Sequence, residues 1–153
     1  MLYFAYGSNM DLKQIKERCK SSEFKGIALL PDYKLIFPQR SKNRGCNVAS
    51  VMPETGSEVW GVVYDIPEKE VSNLDKTEGY IEGHEGNSYE RRSITVLMEG
   101  NKDKKQFVSI YIGIKKSSHG LPDKKYKDLI LNGSKYWKLP EYYIKDVLEN
   151  IVV

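Results

Sequence analysis

The sequence predicts an α+β chain, a small mixed β-barrel or strongly bent sheet with flanking helices. Three observations carry that expectation. Strand-like segments dominate, four helical segments are scattered among them, and strand does not alternate regularly with helix as a doubly wound sheet requires. The 153 residues amount to about one domain, enough to bury roughly 70% of the unfolded surface. No repeat, low-complexity stretch or long linker divides them, so residues 1–153 are expected to form a single domain with a core and an enclosed pocket.

Leu2 to Tyr6 is short, apolar and aromatic, as a buried strand is. Gly7-Ser8-Asn9 ends it, and Asn9 suits the N-cap of a helix from about Met10 to Lys20 with Leu12, Ile15 and Cys19 on one face. Strands are expected at 26–30, 33–37, 47–52 and 58–66, with turns at Pro31-Asp32 and Pro53-Glu54-Thr55-Gly56. Pro67 suits the first position of a helix, Val71 and Leu74 give that helix a core face, and Gly79 stops it. The polar, glycine-rich stretch 82–88 reads as a loop. Residues 89–99 and 104–112 form a hairpin around Gly100-Asn101. A helix over 124–132 presents Tyr126, Leu129 and Ile130. Pro140 opens a last helix with Ile144, Val147, Leu148 and Ile151 at helical spacing.

Composition excludes several classes. Charged residues make up 29% and hydrophobic ones 40%, as in an ordinary soluble protein, and no run approaches the ~20 apolar residues of a membrane helix. Leu2–Tyr6 has no basic residues before it and does not read as a signal peptide, so a cytoplasmic location is expected. A net charge of +3 argues for no nucleic-acid partner, and the lysine clusters at 102–105, 115–116 and 124–127 read as solvated faces. Cys19 and Cys46 are expected as free thiols. With His84 and His119 they show no metal-ligand spacing, so no metal is expected. Ser117-Ser118-His119 is the one stretch that keeps a hydrolase in view.

Two motifs could carry chemistry. Tyr6-Gly7-Ser8-Asn9 joins a buried strand to a helix, which gathers backbone N–H groups at a positive helix end. Such a spot binds a carboxylate or polarises a carbonyl. By itself, a plain capped junction is the simpler reading. In Leu74-Asp75-Lys76-Thr77-Glu78-Gly79, Glu78 falls at the end of a short helix, where helix polarity and burial raise a carboxyl pKa toward the range of a general base. By itself, a solvated glutamate beside a glycine cap is the simpler reading. The chain has 11 tyrosines, and Tyr6, Tyr89, Tyr111 and Tyr126 come from different elements, each able to pack a ring and offer a hydroxyl.

Together these signals resemble a known pattern. Tyr3-Phe4-Ala5-Tyr6-Gly7-Ser8-Asn9 resembles the opening of the γ-glutamylcyclotransferase family, related to the AIG2-like proteins. The resemblance continues through Glu58–Tyr64, Leu74–Gly79, Tyr89, Tyr126–Ile130 and Leu139–Tyr142, nearly the whole chain. It implies a small mixed β-barrel with flanking helices. It implies an enzyme that cyclises a γ-glutamyl amino acid, peptide or amine to 5-oxoproline and releases the amine, an acyl transfer of lyase outcome. Glu78 is implied as the catalytic acid and base, and Tyr6, Gly7, Ser8, Asn9, Tyr89, Tyr111 and Tyr126 as substrate-binding residues. Tyr111 rests on Ser109-Ile110-Tyr111-Ile112 alone. No cofactor is implied. The expected partner is a small γ-glutamyl molecule, with the chain a monomer or homodimer; the alternative is a non-catalytic small-ligand binding protein on the same fold.

Overall fold

A computed structural model describes residues 1–113 and 120–153. Five strands, β1 (Leu2–Ala5), β2 (Glu23–Arg40), β3 (Asn47–Asp65), β4 (Tyr89–Met98) and β5 (Lys105–Gly113), close into a barrel in the order β1-β3-β2-β4-β5. β1 runs antiparallel to β3 and parallel to β5, and all other neighbours are antiparallel, so the barrel is mixed, as expected. Phe4, Ala28, Leu30, Val59, Val63, Val96 and Ile110 share its inner face and are buried. Each large apolar side chain among them contributes about 1.5–3 kcal/mol on burial.

The four expected central strands are in fact two. β2 and β3 form one ribbon of 18 and 19 residues. The pairing steps from Pro31↔Glu58 to Tyr33↔Pro53, so the two proline segments face each other and residues 54–57 bulge. Asp32 takes a left-handed φ of 61°, and its Oδ1 accepts the Gly56 N–H at 2.9 Å. Prolines read as turns because they cannot donate to a ladder, but a bulge removes that requirement. Beyond the bulge the ribbon runs on to a tip at residues 41–46, closed by Ser41 N–H to Cys46 O at 2.9 Å.

The helices also differ in detail. Ser8–Met10 is a 3₁₀ turn, and helix α1 spans Leu12–Arg18. Its cap is Asp11, which accepts from the Gln14 N–H at 3.0 Å, not Asn9. Helix α2 (Glu68–Thr77) takes Pro67 as its cap rather than its first residue. Helix α3 (Lys124–Tyr136) runs four residues past its expected end. After Pro140, the short α4 (Glu141–Tyr143) passes into a π-helical turn, Ile144–Leu148. α3 lies close against the 3₁₀ turn: a Cβ on Gly133 would fall 2.3 Å from the Met10 carbonyl carbon. Asn87 staples the 81–88 loop, exchanging hydrogen bonds with the backbone of Ile81 and donating to His84 O. Cys19 and Cys46 are free and buried. Lys115-Lys116, Ser117-Ser118 and His119 lie outside the described residues. Among the described residues no helix is long and apolar enough to cross a membrane.

Candidate active site

β1 delivers Tyr6 to the barrel end, and the chain turns at Gly7 into the 3₁₀ turn. A Cβ on Gly7 would meet Ala49 at 3.2 Å and the Tyr126 hydroxyl at 3.3 Å, so glycine here lets α3 and β3 close on the turn. α2 ends opposite. Glu78 is its C-cap, with its N–H on Leu74 O, and Gly79 follows in the left-handed region. Between them lies a cavity of about 570 Å³. All eight residues expected at a site, Tyr6, Gly7, Ser8, Asn9, Glu78, Tyr89, Tyr111 and Tyr126, line it.

Asn9 organises one side. Its Oδ1 accepts from Arg18 at 2.7 Å and from Gln14 Nε2 at 2.8 Å. A guanidinium can only donate, so the amide orientation is fixed. Nδ2 therefore donates to the Tyr3 hydroxyl at 2.9 Å and to Glu78 Oε1 at 3.1 Å. Gln14 is fixed the same way, its Oε1 accepting from Arg44 at 2.5 Å and its Nε2 donating to Ser8 Oγ at 2.8 Å. The Arg44 guanidinium also sits over the Tyr126 ring, 5.0 Å from its centre.

Burial raises the Glu78 pKa; Arg18 and Arg44 oppose the rise, and the Asn9 bond opposes it further. The carboxyl is thus shifted toward its neutral form. The expected sign holds, with burial as its first cause.

On the other side, Tyr89 donates to Ala49 O at 2.6 Å and Tyr6 donates to Tyr111 O at 2.5 Å. Tyr111 donates to Asp75 Oδ1 at 2.5 Å, and Asp75 is also held by Arg91 at 2.7 and 2.8 Å. That ties the last turn of α2, and with it Glu78, to β4 and β5. No group of three or more metal-ligating side chains gathers among the described residues.

The family model for gamma-glutamyl cyclotransferase, AIG2-like proteins matches residues 3–138. The chain belongs to this family. It is 34% identical to a gamma-glutamylcyclotransferase of Bos taurus over 151 residues, covering 94% of this chain and 75% of the relative. It is 30% identical to a Mus musculus gamma-glutamylcyclotransferase over 149 residues, covering 93% and 74%. A solved gamma-glutamyl cyclotransferase superposes with a TM-score of 0.88 at 30% identity, covering 99% of this chain and 88% of that one.

Within this cyclotransferase fold the cavity has further walls that sequence reading missed. Tyr3, Arg18 and the stretch Gln39–Arg44 line it as well. Tyr3 carried a signal, since it lies in the Tyr3–Asn9 motif. Arg18, within the first expected helix, carried no signal of its own, and residues 39–44 reach the cavity because the ribbon is long.

Proposed function

We propose that this chain cyclises a γ-glutamyl donor to 5-oxoproline and releases the amine that the γ-carbonyl carried. The observation that supports it is the pairing, in one cavity, of a burial-raised carboxyl with the Tyr6–Asn9 turn. In this reading the donor's α-nitrogen attacks its own γ-carbonyl. An ammonium has no lone pair, so Glu78 first takes one of its protons. The N–C bond closes the five-membered ring and the carbonyl becomes an oxyanion. The ring nitrogen, now carrying two hydrogens and a positive charge, gives up one of them; the oxyanion collapses, the bond to the leaving nitrogen breaks as Glu78 returns its proton there, and the released amine takes up the second proton as an ammonium. Every atom of the donor leaves in one of two products, and no co-reactant is consumed.

The protein's main task is to hold the donor curled. Well-oriented intramolecular attack reaches effective molarities of about 10⁵–10⁸ M. The backbone N–H groups of Ser8 and Asn9 meet no acceptor among the described residues, and are the candidates to hold the oxyanion. Arg18 and Arg44 are the candidates to hold carboxylate. Five basic side chains and one acidic one line the cavity, which suits an anionic donor such as a γ-glutamyl amino acid or peptide.

The test is 5-oxoproline release from γ-glutamyl dipeptides, glutathione and γ-glutamyl-ε-lysine. Glu78→Gln keeps the shape and the acceptor for Asn9, and is expected to lower turnover by about 10²–10⁴-fold. Because the Glu78 pKa is raised, kcat/KM should fall as pH drops through a value above the ordinary glutamate figure of about 4.3. Full turnover by Glu78→Gln would reject the assignment. Tight binding of donors with no release from any of them would favour the binding-protein alternative.

A further inference from the structure

Asn9 holds Glu78, yet its own main chain has little to hold it. The two backbone bonds of the 3₁₀ turn, Met10 N–H to Gly7 O at 3.1 Å and Asp11 N–H to Ser8 O at 3.0 Å, pass over Asn9 without using it. Among the described residues its main chain makes one hydrogen bond, from the Tyr64 hydroxyl to Asn9 O at 2.9 Å. The same hydroxyl lies 3.3 Å from Met10 O, which also accepts the Trp137 Nε1–H at 2.9 Å. A backbone carbonyl only accepts, so Tyr64 and Trp137 are the donors in these bonds. Burial pushes the Tyr64 pKa up, opposed by a bond with Trp137 and helped by the Asp11 carboxylate, so the phenol keeps its hydrogen.

Strand pairing turns this contact into a grip. Tyr3 of β1 stands opposite Tyr64 of β3 in the antiparallel register, so both side chains rise from one face of the barrel wall, with their rings 6.3 Å apart. The Tyr3 hydroxyl takes the Asn9 side chain through Nδ2 at 2.9 Å, and the Tyr64 hydroxyl takes the Asn9 carbonyl. Two phenols from neighbouring strands thus hold the two ends of one residue. Tyr64 is buried and packs edge-on against Trp137, which stacks on Phe24 at 4.0 Å. The barrel wall therefore sets the place from which Asn9 Nδ2 meets Glu78 Oε1.

We propose that Tyr64, with Trp137 in support, is a positioning residue of the reaction: it ties the Asn9 main chain to the barrel and so sets where Asn9 holds the Glu78 carboxyl. This rests on the cyclotransferase reading above. Neither Tyr64 nor Trp137 lines the cavity, so both act through the turn. Without the Tyr64 hydroxyl, Asn9 O loses its partner, the turn shifts, and the Asn9–Glu78 bond lengthens. The charged groups that face Glu78 are Arg18 from α1 and Arg44 from the ribbon tip. The phenols that feel its charge are Tyr3 and Tyr6 from β1, Tyr89 from β4, Tyr111 from β5 and Tyr126 from α3. Removing the Tyr64 hydroxyl removes none of them. Arg18 and the Asn9 bond both oppose the rise of the Glu78 pKa, and Arg18 is itself held by Asn9 Oδ1. Loosening Asn9 therefore lets that pKa rise further.

Tyr64→Phe removes the hydroxyl and keeps the ring; Trp137→Phe removes the N–H and keeps a ring against Phe24. With γ-glutamylalanine as donor, Tyr64→Phe should lower kcat about tenfold. The acid limb of kcat/KM should move to higher pH than in the wild type. Trp137→Phe should act in the same direction by less, and it carries the test if Tyr64→Phe does not fold. Amide exchange at Met10 should quicken about fivefold in Tyr64→Phe, the scale of one lost neutral hydrogen bond. A purely structural role would lower the melting temperature and leave the limb in place. An unchanged kcat, an unmoved limb or unchanged exchange at Met10 would each overturn the proposal. If the wild type releases no 5-oxoproline, the functional reading fails separately. The Glu78 carboxyl, titrated by ¹³C NMR in the wild type and both variants, then decides the positioning role: an upward shift in the variants supports it, and an unshifted titration overturns it.

Discussion

The turn at Ser8–Met10 and the ribbon tip at residues 41–46 both face the cavity with donors, yet they are built in opposite ways. The turn is buried and its Asn9 side chain saturated: Asn9 is 3% exposed and uses both its side-chain oxygen and nitrogen twice. The tip is open: Lys42 and Asn43 are exposed, and the Lys42 ammonium has no partner among the described residues. Only Arg44 joins the two, reaching from the tip to Gln14 and Ser8. The difference separates two tasks. A saturated network holds one geometry, which proton transfer needs. An open rim supplies charge, which attracts an anionic molecule but cannot fix its atoms.

Asn9→Leu should break the comparison most severely. It takes a partner from Arg18, Gln14 and Tyr3, at about 1–3 kcal/mol for a buried group left unpaired. It also frees Glu78 to move, which costs about 10²-fold in turnover; chemical denaturation and 5-oxoproline assays would measure the two effects. Gly133→Ala acts on the same turn from behind. Its new Cβ must push Met10 away, at about 1–3 kcal/mol, and melting temperature should fall by about 2–4 °C for each of those.

Glu78→Gln is expected to raise stability while it lowers turnover. The Glu78 pKa is higher in the folded chain than in the unfolded one, so the folded state binds the extra proton and wild-type stability falls as pH rises between the two values. The amide carries no such penalty. Its melting temperature should exceed that of wild type at pH 7, and the gain should vanish below about pH 4, where glutamate is protonated in both states. A gain independent of pH would point to packing. The smallest effect belongs to the rim. Lys42→Gln should weaken catalysis a few-fold through KM. That difference should disappear in about 1 M salt, where the Debye length is about 3 Å.

What could be read from the chain divides along the same line. β1, its glycine turn, the hairpin at Gly100-Asn101 and the end of α2 at Glu78 are local events with local signals, and they lie where expected. The unbroken β2–β3 ribbon was hidden because Pro31 and Pro53 each look like a stop, and only their pairing across the bulge shows otherwise. Asn9 looked like a helix cap because asparagine caps well. Asp11, two residues on, took that place and left the amide for Glu78. Arg18 and Arg44 had no local signature. Their role depends on chain folded from far away, and in sequence a basic residue at a helix end or a loop reads as solvated.

The ribbon's length has a consequence for how this protein can change. Its barrel half is locked against the three other strands, while its far half ends in a tip whose residues 41–44 line the cavity. Insertions or altered charges at Lys42 and Asn43 would re-address the enzyme to a different leaving group without disturbing the Asn9–Glu78 machinery, to which Arg44 is tied. Relatives with divergent donors are expected to differ first at this tip.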